Sequence, residues 1–176
     1  MSSLIKIDEE IVTGSAVASV TLGASNWDSS YDVYMVKLYN LEQSGTTDVR
    51  LKARILKSDN SADTTANYDD ASKSLNGHIG FQNNSGTNDT KHNVASMGTS
   101  GNEQANGIMY LFNFNNSSEY SFFTDEQTSR NRDGNLTGIQ GGGVHTVQSA
   151  SDGVHFFMSS GNIDTGSKFV LYGLKK

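Results

Sequence analysis

The chain has 176 residues, 35% of them apolar, a mean hydropathy of −0.48, a formal net charge of −6, a pI near 5.0, and neither cysteine nor proline. Lack of cysteine excludes disulfides, thiolate metal sites and Cys nucleophiles, and the acidic balance removes any general attraction to nucleic acid or an anionic bilayer. No apolar segment approaches the roughly 20 residues of a membrane helix, and the length suits one domain burying roughly 70% of its unfolded surface.

The N-terminus lacks a basic region followed by an apolar run, so no secretory signal is expected. Residues 1–15 read as an N-terminal arm or a first strand, and residues 16–176 as a single β-sandwich domain. From Ala16 to Leu22, apolar Ala16, Ala18, Val20 and Leu22 alternate with Ser19 and Thr21, the period of a half-buried strand that Gly23 ends. Trp27, the single tryptophan, is expected to close one end of the core, with a ligand-stacking role as the alternative. Val33 to Tyr39 places Tyr34, Val36 and Leu38 on one face.

Between Val49 and Lys57, Val49, Leu51, Ala53 and Ile55 point one way, and Arg50, Lys52, Arg54 and Lys57 form the outward set. In an acidic chain this basic row suits an acidic neighbour, the plainer alternative being a solvated face. Asp59 to Asn76 is polar, with a helical turn expected around Tyr68 to Leu75. His78 to Phe81 reads as a short strand and Gln82 to Gln104 as a long polar loop. Ile108 to Phe114 and Tyr120 to Phe123 read as a hairpin across Asn115-Asn116-Ser117-Ser118. Asp125 to Gly143 is turn-rich, and Val144 to Gln148 is a further strand. The stretch Val154 to Leu174 reads as two antiparallel strands around a Ser/Gly/Asn/Asp/Thr cluster. Its last run is apolar on both faces and is therefore placed in a covered position. Eight or nine strands without amphipathic helices or βαβ alternation point to an all-β, antiparallel two-sheet sandwich, jelly-roll-like, with long polar loops.

No catalytic constellation emerges. His78, His92, His145 and His155 lie on separate segments; His145 and His155 could face each other if their strands pair, but a third metal ligand is missing. Asp59-Asn60-Ser61-Ala62-Asp63 begins like a calcium loop, yet Thr64 stands where that loop needs glycine. Gly98-Thr99-Ser100-Gly101 lacks the spacing of a nucleophile elbow. No cofactor and no metal are expected.

Trp27-Asp28-Ser29-Ser30-Tyr31-Asp32-Val33-Tyr34-Met35, Gly107-Ile108-Met109-Tyr110-Leu111-Phe112-Asn113 and Phe157-Met158-Ser159-Ser160-Gly161-Asn162-Ile163 followed by Gly166 and then Leu171-Tyr172-Gly173-Leu174-Lys175 resemble the opening, middle strand and closing hairpin of a family of short virion structural proteins from marine tailed phages, notably phages of cyanobacteria. The resemblance implies a jelly-roll-like sandwich displayed on the particle, made in the host cytoplasm. Gln82 to Gln104 departs from that family's compact version. The expected function is a non-enzymatic bacteriophage virion structural protein, most simply a capsid decoration or surface-knob subunit. The alternative is a tail-fibre tip or receptor-binding, carbohydrate-binding module. Expected partners are other virion proteins of the capsid shell or tail and further copies of the chain, with a trimer as first expectation. A host surface glycan is the partner under the alternative, and neither nucleic acid nor membrane is expected. Trp27, Tyr31, Arg50, Lys52 and Arg54 are the candidate ligand or assembly contacts.

Overall fold

A computed structural model of the chain describes residues 3–98 and 103–175. Twelve strands form two antiparallel sheets: β1 (Ser3–Ile11), β2 (Ser19–Gly23), β3 (Val33–Leu41), β4 (Val49–Leu56), β5 (Tyr68–Asn76), β6 (Gly80–Asp89), β7 (His92–Met97), β8 (Ala105–Phe112), β9 (Ser121–Arg130), β10 (Leu136–His145), β11 (Gly153–Met158) and β12 (Lys168–Lys175). A short 3-10 turn, Ala24–Asn26, follows β2. The large sheet has the order β1-β12-β3-β8-β9-β10-β5-β6, and the small sheet β2-β11-β4-β7.

Eight of these strands carry jelly-roll wiring. β1 pairs with β12, β2 with β11, β3 with β8 and β4 with β7, so the chain doubles back on itself as one antiparallel ribbon. Successive parts of that ribbon go alternately to the large and the small sheet, which curls it into two layers. The other four strands are two hairpins, β5–β6 inserted between β4 and β7 where the ribbon turns, and β9–β10 between β8 and β11. They pair with each other through β10 and β5, from Thr137 opposite Asn76 to His145 opposite Tyr68. This widens one sheet to eight strands while its partner stays at four.

The alternation in the sequence explains the layers. Tyr34, Val36 and Leu38 of β3, Met109 and Leu111 of β8, and Phe169 and Leu171 of β12 are buried, as are Leu51, Ala53 and Ile55 of β4 and Val154 and Phe156 of β11. These two sets form the core. Phe156 and Phe169 meet across the layers with ring centroids 5.2 Å apart, and a fully buried side chain of this kind contributes roughly 2–3 kcal/mol. Phe114 joins them because Asn113, at φ +62°, reverses the chain after β8 and turns the next ring inward.

Several polar segments fold differently from their sequence reading. Tyr68 to Leu75 is not a helical turn but most of β5. The Gln82–Gln104 stretch is not a long loop: it holds most of β6 and all of β7, with residues 99–102 outside the described set. The Gly98-Thr99-Ser100-Gly101 motif falls largely on those residues. His78 and Ile79 form a turn before β6 rather than a strand. The turn-rich segment Asp125 to Gly143 contains the end of β9 and most of β10, so the strands number twelve. The C-terminal pair is not a hairpin, because β11 lies in the small sheet and β12 in the large one. β12 does occupy a covered position, between β1 and β3. Residues Ser3 to Ile11, an arm or a strand by sequence, form a strand of the same sheet.

Candidate functional site

A row of cations lies on the outer face of the small sheet. β4 alternates buried Val49, Leu51, Ala53 and Ile55 with half-exposed Arg50, Lys52 and Arg54, so the three cations project outward together. β11 is next to β4, and its outward His155 and Phe157 lie opposite Arg54 and Lys52. The Arg54 guanidinium sits 4.4 Å from the centre of the Phe157 ring, and its Nε donates to the Thr90 carbonyl at 2.8 Å. Thr21 of β2 shares a hydrogen bond of 3.0 Å with His155 Nδ1. Beyond β4, Lys91 adds a fourth cation, ion-paired with Asp89.

Burial and the neighbouring cations both disfavour the charged forms of groups on this face. Burial, and then the charges of Lys91, Arg50 and Arg54, hold the Lys52 ammonium below its ordinary pKa, while Asp89 acts in the opposite direction. Burial, followed by Arg54, likewise lowers His155. Among the described residues, neither Arg50 nor Lys52 has a side-chain hydrogen bond or ion pair. Four of the chain's 13 Lys and Arg residues thus gather on one flat face of an otherwise acidic protein. An anion docked there would relieve the repulsion, which is what such a face does chemically.

Trp27 and Tyr31 are held in the end of the sandwich. Trp27 stacks on Tyr34 with centroids 4.1 Å apart, and its indole Nε1 donates to Asn115 Oδ1 at 3.0 Å. The Asn115 amide nitrogen donates in turn to the carbonyls of Ser29 and Tyr31 and to the Tyr34 hydroxyl. Tyr31 packs edge-on to Tyr34, and its ring lies over Gly173, where an added Cβ would come within 2.4 Å of it. Both aromatics therefore close the core. They do not meet the basic face, so the five sequence candidates separate into a packing pair and an electrostatic row.

The outer face of the large sheet carries a shallow trough of about 650 Å³. Lys37, Tyr39, Asn106, Ile108, Glu126 and Gln140 line it. Gly107 of β8 gives part of the lining no side chain, and Gln140 Nε2 donates to Glu126 Oε1 at 2.8 Å.

Two buried His–Asp pairs lie inside, one joining β7 to β9 and the other joining β10 to the segment before β5. His92 Nε2 is 2.7 Å from Asp125 Oδ1, with the ring stacked on Phe123 at 5.0 Å. His145 Nε2 is 2.8 Å from Asp63 Oδ2. Burial lowers the His145 pKa against the opposing pull of Asp63. His145 and His155 do not face each other: the former points into the core from the large sheet, and the latter lies on the outer face of the small one. Among the described residues no group of three or more His, Asp or Glu side chains is arranged to hold a metal ion. Asp59, first residue of the calcium-like stretch, instead accepts from the Ser61 amide and hydroxyl. Sequence reasoning missed the His92 and His145 pairs; the only local signal was two histidines in otherwise small-residue strands.

Comparison with protein-family models, with curated proteins and with solved structures returns no match to this chain.

Proposed function

We propose that the chain is a non-enzymatic virion structural protein, a decoration or surface-knob subunit that seats on an acidic surface of the particle through the outer face of its small sheet. The observation that carries this reading is the cluster of Arg50, Lys52, Arg54 and Lys91, two of them without an ion-pair partner among the described residues, on one face of a chain of net charge −6. A sheet face with one row of cations on β4 and Lys91 beside it suits broad, shallow contact with a protein surface. Complementary charge there sets orientation and raises the rate of encounter. The jelly-roll wiring agrees with this role by analogy only, since the same architecture serves many functions.

Mass spectrometry of separated heads and tails tests the assignment. Recovery with heads is expected, and recovery with tails alone or with neither overturns it. On purified particles, binding that falls steeply as salt rises, and is lost when Arg50, Lys52 and Arg54 are all changed to Glu, ties attachment to this face. A receptor-binding role is favoured by the trough around Tyr39, Glu126 and Gln140. Its test is a glycan array, in which saturable binding abolished by Tyr39→Ala is the expected result.

A further inference from the structure

The two sheets present four edges, and three of them carry features that discourage pairing with another strand. β1 holds Lys6, Asp8, Glu9 and Glu10 and has a register break between Lys6 and Asp8. β2 is only five residues long. β7 has six residues, and its pairing with β4 shifts between Leu51 and Lys52. β6 differs. From Gly80 to Gly86 it pairs without a break against Asn76 to Asp70, and it has neither a charge nor a proline in that stretch. Its irregularity begins only beyond Gly86. Beside this edge stands an apolar cluster in water: Phe81 is 69% exposed, Leu136 59%, Ile79 57% and Leu75 40%.

We propose that the β6 edge is a self-assembly surface, pairing antiparallel with β6 of a second copy to join two large sheets into one continuous sheet about a two-fold axis. An open edge offers a row of backbone donors and acceptors that only another strand complements in full. A second copy fits best for three reasons. A chain of net charge −6 repels its own kind over most of its surface, and the uncharged Gly80–Gly86 segment is where two copies approach without opposed like charges. With a two-fold near Asn83, the Asn83 amide faces its own equivalent and Gln82 faces Asn84 of the other copy, so uncharged amides meet across the axis. With the axis near Asn83, the exposed Phe81 of one copy lies beside Ser85 of the other, which removes its ring from water. The alternative mate within a second copy, β1, would bring a bulged and charged edge against β6. An edge of this kind closes with itself as a pair; a three-fold ring needs a second, different surface.

One short edge buries an area at the low end for specific association, so the pair should be reversible at micromolar or higher concentration. Light scattering on the full chain across that range is expected to show mass rising from 19.0 kDa toward twice that value. Changing Asn83 and Ser85, both exposed, to Lys puts like charges opposite each other at position 83 and a charge beside Phe81 of the other copy, and should raise the midpoint concentration by about tenfold or more, with circular dichroism and melting unchanged. Because the chain has no cysteine, Asn83→Cys should give a covalent dimer on mild oxidation, while Lys6→Cys on β1 should stay monomeric. A monomer throughout the range, a three-fold mass, or a dimer indifferent to the Lys changes and not trapped by Asn83→Cys overturns the proposal. The Arg50, Lys52 and Arg54 reversal leaves this pairing intact, so failure here and failure of particle attachment are told apart.

Discussion

Changing His92 to Leu removes what is, among the described residues, the one hydrogen-bonding partner of a buried carboxyl group. Asp125 is 3% exposed, its Oδ1 is held by His92 Nε2 at 2.7 Å, and its Oδ2 has no partner. Leu is close to His in volume, so the cavity left is small and the cost comes from the polar group stranded in the core. Breaking a buried pair from one side costs about 3–5 kcal/mol. At about 2.1 cal/mol/K per residue, 176 residues give an unfolding entropy near 0.37 kcal/mol/K, so a loss of about 4 kcal/mol lowers the melting temperature by about 11 °C. Removing both partners, in His92→Leu with Asp125→Leu, should recover most of that loss, leaving a cost of about 1–2 kcal/mol. Urea unfolding of wild type, both single variants and the double variant measures the coupling. If the double variant loses the sum of the two single losses, the cost does not arise from a stranded carboxyl and the reasoning fails.

Stability should also fall with pH. His145 and His155 are held below the usual imidazole pKa of 6.5, first by burial, with Arg54 adding to it at His155. The unfolded chain therefore takes up protons before the fold does. Stability present above pH 6.5 is lost as the pH drops below that value toward each group's own lower pKa. Thermal melts at intervals from pH 7.5 to 5 should show a steady decline, flattened in a His145→Asn, His155→Asn variant; a flat wild-type profile would contradict the assignment. Asn115→Ala removes the amide that ties Trp27, Ser29, Tyr31 and Tyr34 together and should cost about 2–3 kcal/mol by denaturation. The same variant should leave the basic face and particle binding unchanged. At Gly143 an added Cβ would stand 2.6 Å from His92 Nδ1 and 2.8 Å from the Asp69 carbonyl. Gly143→Ala should then cost about 1–3 kcal/mol through crowding; an unchanged melting temperature would show that β7 yields freely there.

The strands that were legible are those with a dry face and a wet face. β3 and β4 could be read residue by residue because Tyr34, Val36 and Leu38, or Leu51, Ala53 and Ile55, alternate with polar neighbours, and burial on one side enforces that alternation. The basic row on β4 was legible for the same reason. β5, β6 and β10 were not. Ser72, Ser74, Gln82 and Asn84 need no apolar partner where the four-stranded layer is too narrow to cover the eight-stranded one, and Gly141-Gly142-Gly143 has no side chains to alternate. On β9, the buried positions include Asp125, Gln127 and Ser129, which hide the pattern although the burial itself alternates strictly.

By itself, the order of residues determined the antiparallel, two-layer character of the protein, its central apolar strands and the charge of one outer face, because each follows from local side-chain spacing. Tertiary structure alone decided the ribbon wiring, the joining of β10 to β5, the separation of β11 from β12 into different sheets, and the encounter of His92 with Asp125, 33 residues away. These features depend on which distant strands share hydrogen bonds. Backbone donors and acceptors are the same in every strand, so the choice among partners is made only when the whole core packs.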